Sequence, residues 1–498
     1  MRGWNNRFAL TRRQLLEGAL AAGLSPVSAL AQGPPPNDKT PAAPPNSAIR
    51  LGHILNQMRF GDLPTTAIQH AKMVIASTLA SAASGSRIGS AGIIRELAKE
   101  QGGKPEAPIW FDGTKLPVNP AARVNAMLSD AAASDDSDLR NVAHTGTCLT
   151  AAGLAIAERV GATGQDLLCA LVAGYEAAGR VGEALGRAGE ALSGNLGRGF
   201  HASMIVAFGG VVTAAKLLRL KDEEMAHAIG LTATSMGGLA IGTNSWAREY
   251  HAGNAALCAV NAALAAGRGY TVNENMLEAP GGFLAIFGGG KVDTQSLTRE
   301  LSPELQITRY LAIKLVPGAH ALQPAVEAAI NAARQSAAPP EQVAKILVSG
   351  PQIRIVAAAR APKDMIEAIH SLPYFLASAV ADKDFSWVHV TPEKIHRTLI
   401  AQLIGMVDSD PTPPPVHYAW NWGATVTLVT KSGDRFTSTV DAPKGSAPRG
   451  IEWSDVDAKY RALMPESHLP AKRIEESLKI IHDFEQVKKV PQLTGLLV

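Results

Sequence analysis

A chain of 498 residues with 46% hydrophobic content can bury a sizeable core and is expected to divide into two domains. Aromatic residues make up only 5% while Ala and Gly dominate, which favours closely packed helices over a β-sandwich and excludes a disordered or fibrous chain. The formal charge of +3 comes from the first residues, because removing Arg2, Arg7, Arg12, Arg13 and Glu17 with residues 1–31 brings it to 0; nucleic acid is therefore not an expected partner.

In chain order, Thr11-Arg12-Arg13-Gln14-Leu15-Leu16 followed by a mildly apolar run and Ala29-Leu30-Ala31 has the pattern of a twin-arginine signal with a small-residue cleavage site. Residues 1–31 are thus expected to engage the twin-arginine (Tat) export machinery and send the protein to a periplasm. Glu17, Gly18 and Pro26 make the run too polar for a spanning helix, so no stable membrane insertion is expected. Residues 32–47 are Pro-rich and read as a linker.

From 48 to 290 the apolar spacing is helical. It predicts helices over 67–83, 91–101, 121–133, 148–160, 166–185, 201–218, 222–240 and 254–269, with acids in the first turns at Asp166 and Asp222. The texture changes after Gly288-Gly289-Gly290. Over 291–450, residues 342–348 and 352–357 read as strands, and 424–429 with 435–440 read as a hairpin around Lys431-Ser432-Gly433-Asp434. Trp420 and Trp422 read as packing the lid or a dimer contact. Helical spacing returns in the C-terminal segment 451–498, over 454–463 and 473–487. The expected fold is mainly α: a large all-helical domain plus a smaller α+β lid domain. Cys148, Cys169 and Cys258 have no metal-type spacing and read as buried small hydrophobes.

The chemistry-bearing stretch is Ser134-Asp135-Asp136-Ser137-Asp138 followed by His144-Thr145-Gly146, where acids and an imidazole gather between two Ala-rich helices. A helix cap and a solvated turn would give the same pattern. Together with Gly174-Tyr175-Glu176, Gly199-Phe200-His201, Tyr250-His251-Ala252-Gly253-Asn254, Gly281-Gly282-Phe283, Lys314-Leu315-Val316-Pro317 and His370-Ser371-Leu372-Pro373-Tyr374, it resembles the MmgE/PrpD family over nearly all of the chain after the leader. The resemblance implies a helical domain with an α+β lid, a homodimer, and cofactor-free lyase or isomerase chemistry on a small polycarboxylate, a di- or tricarboxylate.

Taking a proton from carbon beside a carboxylate creates an enediolate-like dianion, so such a site must supply a base, cationic donors and an acid. His201, His144, Lys314, His251 and Asp136 are the candidate catalytic residues; Arg248, Asp135, Ser137, His320 and Tyr374 are candidates for binding substrate. The match to the family's motifs is uneven. Ala133 stands where the family carries an Asp, Thr145 where it has a Pro, and Arg248 where it has a Lys; an Arg keeps the charge but does not exchange a proton readily. Gln323 occupies the position of the lid His, with His320 three residues earlier. Two other classes remain open: a non-catalytic carboxylate-binding protein of the same fold, and a metal-dependent hydrolase using Asp135, Asp136, Asp138 and His144. The run Gly288-Gly289-Gly290 lacks the glycine spacing of a dinucleotide fingerprint.

Overall fold

Ala and Gly set the architecture by letting helices approach closely. The computed structural model describes residues 46–140, 142–186, 199–288, 292–351, 353, 360–418 and 420–498; the proposed signal, nearly all of the linker, and all but Ile353 of the strand expected at 352–357 lie outside them. The first helix, α1 (Ser47–Gln57), is capped by the Asn46 side chain, which accepts from the Ala48 and Ile49 N–H groups. It is followed by α2 (Thr65–Gly85), α3 (Gly89–Gln101), α4 (Val118–Ala131), α5 (Thr145–Val160), α6 (Gly164–Ala184), α7 (Ser203–Leu217), α8 (Asp222–Ser235) and α9 (Ala247–Ala266). Thr163 and Asp166 form a reciprocal capping box at the start of α6. Helices form where the periodicity placed them, with ends that move by up to seven residues: α9 starts at Ala247 and not at 254, and α8 stops at Ser235 and not at 240.

Helix α2 is buried along nearly its whole length, so it is a central element and not an amphipathic surface one. A Cβ at Gly85 would stand 1.8 Å from the Leu128 carbonyl oxygen of α4, and one at Gly174 in α6 would stand 2.1 Å from the Thr213 hydroxyl of α7. These two crossings require glycine.

The lid has its own core, built from a four-stranded sheet, the helices α10 (Gln323–Gln335) and α11 (Leu372–Asp382), and shorter helical segments that supply Ala368, Ile395, Ile400, Leu403 and Ile404. Among the described residues the strands in chain order are β1 (Ala107–Pro108), β2 (Lys115–Leu116), β3 (Asp136–Asp138), β4 (Leu311–Ile313), β5 (Val343–Ser349), β6 (Val407–Ser409), β7 (Ala424–Thr430) and β8 (Arg435–Val440), and the lid sheet has the order β6-β5-β7-β8. The β5–β6 pair is parallel and the others are antiparallel. The hairpin forms as expected, and Thr425 and Thr427 hydrogen-bond across it to Thr439 and Thr437 at 2.7 and 2.9 Å.

The helical core reaches further along the chain than residue 290: it takes in Leu297, Leu305, Ile307, Leu311 and Ile313, then resumes at Ile451 and runs through Leu497. The C-terminal helices α12 (Trp453–Leu463) and α13 (Ala471–His482) therefore fold back onto it, both against α2. Both cores belong to one unit, Pro45–Val498. Among the described residues, no helix is long and apolar enough to cross a membrane.

Gly85→Ala tests the α2–α4 crossing. An alanine gains up to about 1 kcal/mol of helix propensity, but overpacking against a fixed carbonyl costs about 1–3 kcal/mol or more. A net loss is expected, seen as a lower urea midpoint with an unchanged slope.

Candidate active site

The acidic stretch owes its geometry to one short strand pair. After α4 ends, Ala133 takes φ +47°, in the left-handed region, and the chain turns into β3 (Asp136–Asp138). That strand pairs antiparallel with β4 (Leu311–Ile313), with Asp136 opposite Ile313 and Asp138 opposite Leu311. The Lys314 N–H then donates to the Asp135 carbonyl at 3.1 Å. Two positions 179 residues apart are thereby joined: the Lys314 ammonium donates to Asp135 Oδ1 at 2.8 Å.

On the other carboxylate oxygen, His144 Nδ1 stands at 2.6 Å and the Thr147 hydroxyl donates at 3.1 Å. Burial would push the Asp135 carboxyl upward, but its contacts with His144 and Lys314 overcome it and hold the group far below the usual carboxylate range. With Nδ1 committed to Asp135, Nε2 is the ring nitrogen that His144 can offer to a ligand.

A second wall comes from Gly199-Phe200-His201. The His201 N–H donates to Gly238 O at 3.1 Å, and the ring Nδ1 accepts from the Ser203 N–H at 3.1 Å in the first turn of α7. The ring proton of neutral His201 therefore sits on Nε2. Burial lowers this imidazole to about 4; Asp130 opposes the shift, and the charges of His251, His144 and Arg248 add to it. At neutral pH His201 is an uncharged donor.

The lid contributes the segment after Lys314. Gly318, at φ +98°, donates its N–H to the Ala133 carbonyl at 2.9 Å and brings His320 inward. His320 is buried, and neither ring nitrogen has a hydrogen-bond partner among the described residues. Burial, then the Lys314 charge, drives its pKa well down. His370 donates from Nδ1 to the Ile366 carbonyl at 3.0 Å and is lowered by burial to about 4.

Together these groups surround a cavity of about 260 Å³. Of the expected site residues, His144, His201, Arg248, Lys314 and His320 line it; His370, Thr243, Val142, Ala133 and Trp422 complete much of the wall. A larger cleft of about 860 Å³ elsewhere is lined by none of the candidates.

Five expected site residues do not reach the cavity. Asp135 does not line the cavity, and its two carboxylate oxygens are taken up by Lys314 on one side and by His144 and Thr147 on the other. The Asp136 carboxylate accepts the Gly146 N–H at 2.9 and 3.1 Å and serves the N-terminus of α5. Ser137 is buried in β3 with its hydroxyl unpartnered among the described residues. Tyr374 belongs to the lid core, where its hydroxyl donates to the His389 carbonyl. His251 lies beside His201, with ring centroids 4.9 Å apart and the ring planes tilted by 53°. Gln323 is likewise turned away, donating to Val316 O at 3.0 Å. His320 thus faces the cavity while Gln323 has a purely local role.

Arg248 is partly committed. Its guanidinium donates to the Asp130 and Ala131 carbonyls at 2.9 Å, closing the C-terminus of α4. Trp422 does more than pack the lid. Its indole N–H crosses to the Leu139 carbonyl at 2.7 Å, and Trp387 likewise donates to the Ser134 hydroxyl at 2.9 Å. No short-range signal marks these bonds, which span more than 250 residues.

The acids do not form the metal set that the sequence left open. Asp138 is paired with Arg140 at 2.9 Å and Asp136 with a backbone N–H. Ligand atoms of Asp130, Asp135 and His144 do approach within 4.8 Å of one another. Lys314 Nζ, however, lies 2.8 Å from Asp135 and 3.1 Å from His144 Nδ1, so a fixed ammonium already satisfies this group and a divalent cation does not fit beside it.

An imidazole oriented by a buried carboxylate, with a lysine and further imidazoles around a small cavity, has the make-up of an enzyme site for a small anion. Residues 50–295 match the MmgE/PrpD N-terminal domain and residues 317–486 the MmgE/PrpD C-terminal domain; the chain belongs to the MmgE/PrpD family. It is similar to cis-aconitate decarboxylase of Homo sapiens, 23% identical over 89% of this chain and 92% of the relative, and to that of Mus musculus, 23% identical over 81% and 83%. A cis-aconitate decarboxylase-like protein of Aspergillus oryzae is 28% identical over 58% of this chain and 62% of its own length. Family and relatives together support a lyase-type enzyme.

The Asp136 carboxyl is raised to about 7 by burial, then by the Asp135 charge. A raised carboxyl costs stability as pH rises, because the unfolded chain ionises first; the loss accrues from about 4 to about 7 and then levels. Asp136→Asn keeps an acceptor for Gly146 without the ionisation. The melting temperature of this variant minus that of the wild type should therefore grow from pH 4 to 7 and flatten above. A difference independent of pH would contradict the assignment.

Proposed function

We propose that the chain is a lyase or isomerase that moves a proton to or from carbon beside a carboxylate of a small di- or tricarboxylate. The observation that carries this reading is the Asp135–His144–Lys314 cluster bordering a small cavity into which His320 brings two ring nitrogens that have no partner among the described residues. A buried imidazole N–H without an acceptor costs about 1–3 kcal/mol, and a bound carboxylate would accept from it. His144 Nε2 takes the proton, and Asp135 stabilises the imidazolium that forms. The electron pair of the broken C–H bond passes onto the substrate carboxylate. Lys314 and the Nε2–H of His201 answer the charge that develops there.

The same groups run decarboxylation: the bond to the departing carboxylate breaks, carbon dioxide leaves, and the remaining electron pair takes a proton from protonated His144. The relatives' names favour this branch. The twin-arginine pattern supports export of the chain to a periplasm. The homodimer implied by the family resemblance has support in four exposed large apolar side chains, Leu239, Ile241, Trp246 and Tyr250, which lie close in sequence to the cavity residues Thr243 and Arg248. The proposed occupant is a second copy of this chain, and Ile241→Asp should then convert dimer to monomer in sedimentation.

Proton NMR in deuterated water, with a panel of di- and tricarboxylates, tests the chemistry. Wild type should incorporate deuterium or form product, and His144→Ala should lower the rate by about 10²–10⁴-fold. Unchanged substrates alongside carboxylate-induced thermal stabilisation would favour the binding-protein reading instead.

A further inference from the structure

A second buried cation adjoins the acidic stretch, and it comes from the C-terminal segment. Lys459, on α12, is 1% exposed and does not line the cavity. Its ammonium donates to the Ser77 hydroxyl of α2 at 2.6 Å, to the Asp135 carbonyl at 3.3 Å, and to the Ser134 carbonyl. Three donors therefore meet three acceptors. No carboxylate pairs with it among the described residues. A buried charge held only by neutral oxygens is costly, and a core position needing only volume would be filled by Leu or Met.

The acceptors explain the placement. The Asp135 carbonyl receives the Lys314 N–H at 3.1 Å and the Ser77 hydroxyl at 3.2 Å besides Lys459. Lys314 thus holds Asp135 by both its backbone and its side chain, while Lys459 holds the same peptide from the helical core. We propose that Lys459 is a positioning residue for the site: it fixes the Ser134–Asp135 backbone, and so the carboxylate that aims His144 and Lys314. This inference rests on the proton-transfer reading above. It also makes the site depend on α12, although that helix supplies no cavity residue.

The charged and titratable groups around Lys459 are Asp135, Asp136, Lys314 and His320. Burial lowers its pKa to about 7; Lys314 adds to the shift, while Asp135 and Asp136 oppose it. Above that pH the neutral amine keeps only two N–H donors, and one of the three bonds is lost.

Lys459→Met and Lys459→Gln are compared with wild type by amide hydrogen exchange over 133–138 and at Lys314, and by the pH profile of turnover. Lys459→Met is expected to exchange at least tenfold faster in that segment. Its kcat should drop at least tenfold with KM changed less than about threefold, and a limb of the profile near pH 7 should disappear. Lys459→Gln, which retains two donors, should recover part of the exchange protection but not the limb. Faster exchange with unchanged kcat and pH profile would reduce Lys459 to a structural lysine and overturn the proposal, as would unchanged exchange. If Lys459→Met does not fold, Ser77→Ala, which removes one acceptor, takes its place: faster exchange with lower kcat supports the proposal, and either change without the other overturns it. If wild type turns over no carboxylate, the proton-transfer reading fails and with it the role of Lys459 in catalysis; the exchange data still decide whether it holds the peptide.

Discussion

A single buried carboxylate organises the site. Asp135 has no exposure to water, and an isolated carboxylate there would take up a proton. It remains ionised because Lys314 and His144 stand at 2.8 and 2.6 Å on its two oxygens. Breaking such a buried pair by removing one partner typically costs about 3–5 kcal/mol, since the other charge is left uncompensated. The surrounding backbone serves this contact: the β3–β4 pairing sets the register, the left-handed turn at Ala133 directs the strand, and the bond from Gly318 to Ala133 brings the lid segment alongside. The cavity therefore lies where the helical core and the lid core share a few main-chain bonds.

Burial also fixes the charge state of the imidazoles. His201, His320 and His370 are all driven below their ordinary values, so the cavity presents neutral rings around the fixed charges of Lys314 and Arg248. This division suits carbon-acid chemistry. Neutral donors can follow charge developing on a carboxylate without first binding an anion so tightly that the ground state gains as much as the transition state. His201 is set for this role by its position just before α7, where the Ser203 N–H fills Nδ1 and leaves Nε2–H free to donate.

Most of the fold is legible in the sequence because its signals are local. Alanine spacing marks the helices of the first domain, Asp166 falls in the first turn of α6 as read, where it also forms a capping box with Thr163, and the Lys431–Asp434 turn identifies the hairpin. The site is less legible, because its residue types are visible in sequence but their directions are not. Asp135 and Asp136 look equivalent, yet a strand sends successive side chains to opposite faces, so one meets Lys314 and the other the start of α5. Tyr374 sits in a plausible motif, but its hydroxyl is taken by a carbonyl 15 residues away. Lys459 is hidden altogether: in Asp455-Val456-Asp457-Ala458-Lys459-Tyr460 it looks like one charge on a solvated face, and only the packing of α12 on α2 buries it.

The departures from the family pattern are linked by the same geometry. Ala133 lines the cavity where an Asp is expected, and an acid there would add negative charge beside His144 and Lys314, on the wall that an anionic substrate must approach. Its methyl group, with Val142, Ala202 and Trp422, makes that wall apolar. Arg248 turns two donors toward the α4 carbonyls, so its charge remains near the cavity while part of its hydrogen-bonding capacity is spent on structure. The lid imidazole is supplied by His320, because the turn at Gly318 brings that ring inward and leaves Gln323 to cap its own loop. Relative to the family pattern the site has thus lost an acid at Ala133, carries Arg248 for a Lys, and has an imidazole at His320 with Gln323 at the position of the lid His. Around Ala133 and Trp422 the cavity wall is apolar, and the charged and imidazole groups His144, Lys314, His201 and His320 lie on the rest of it.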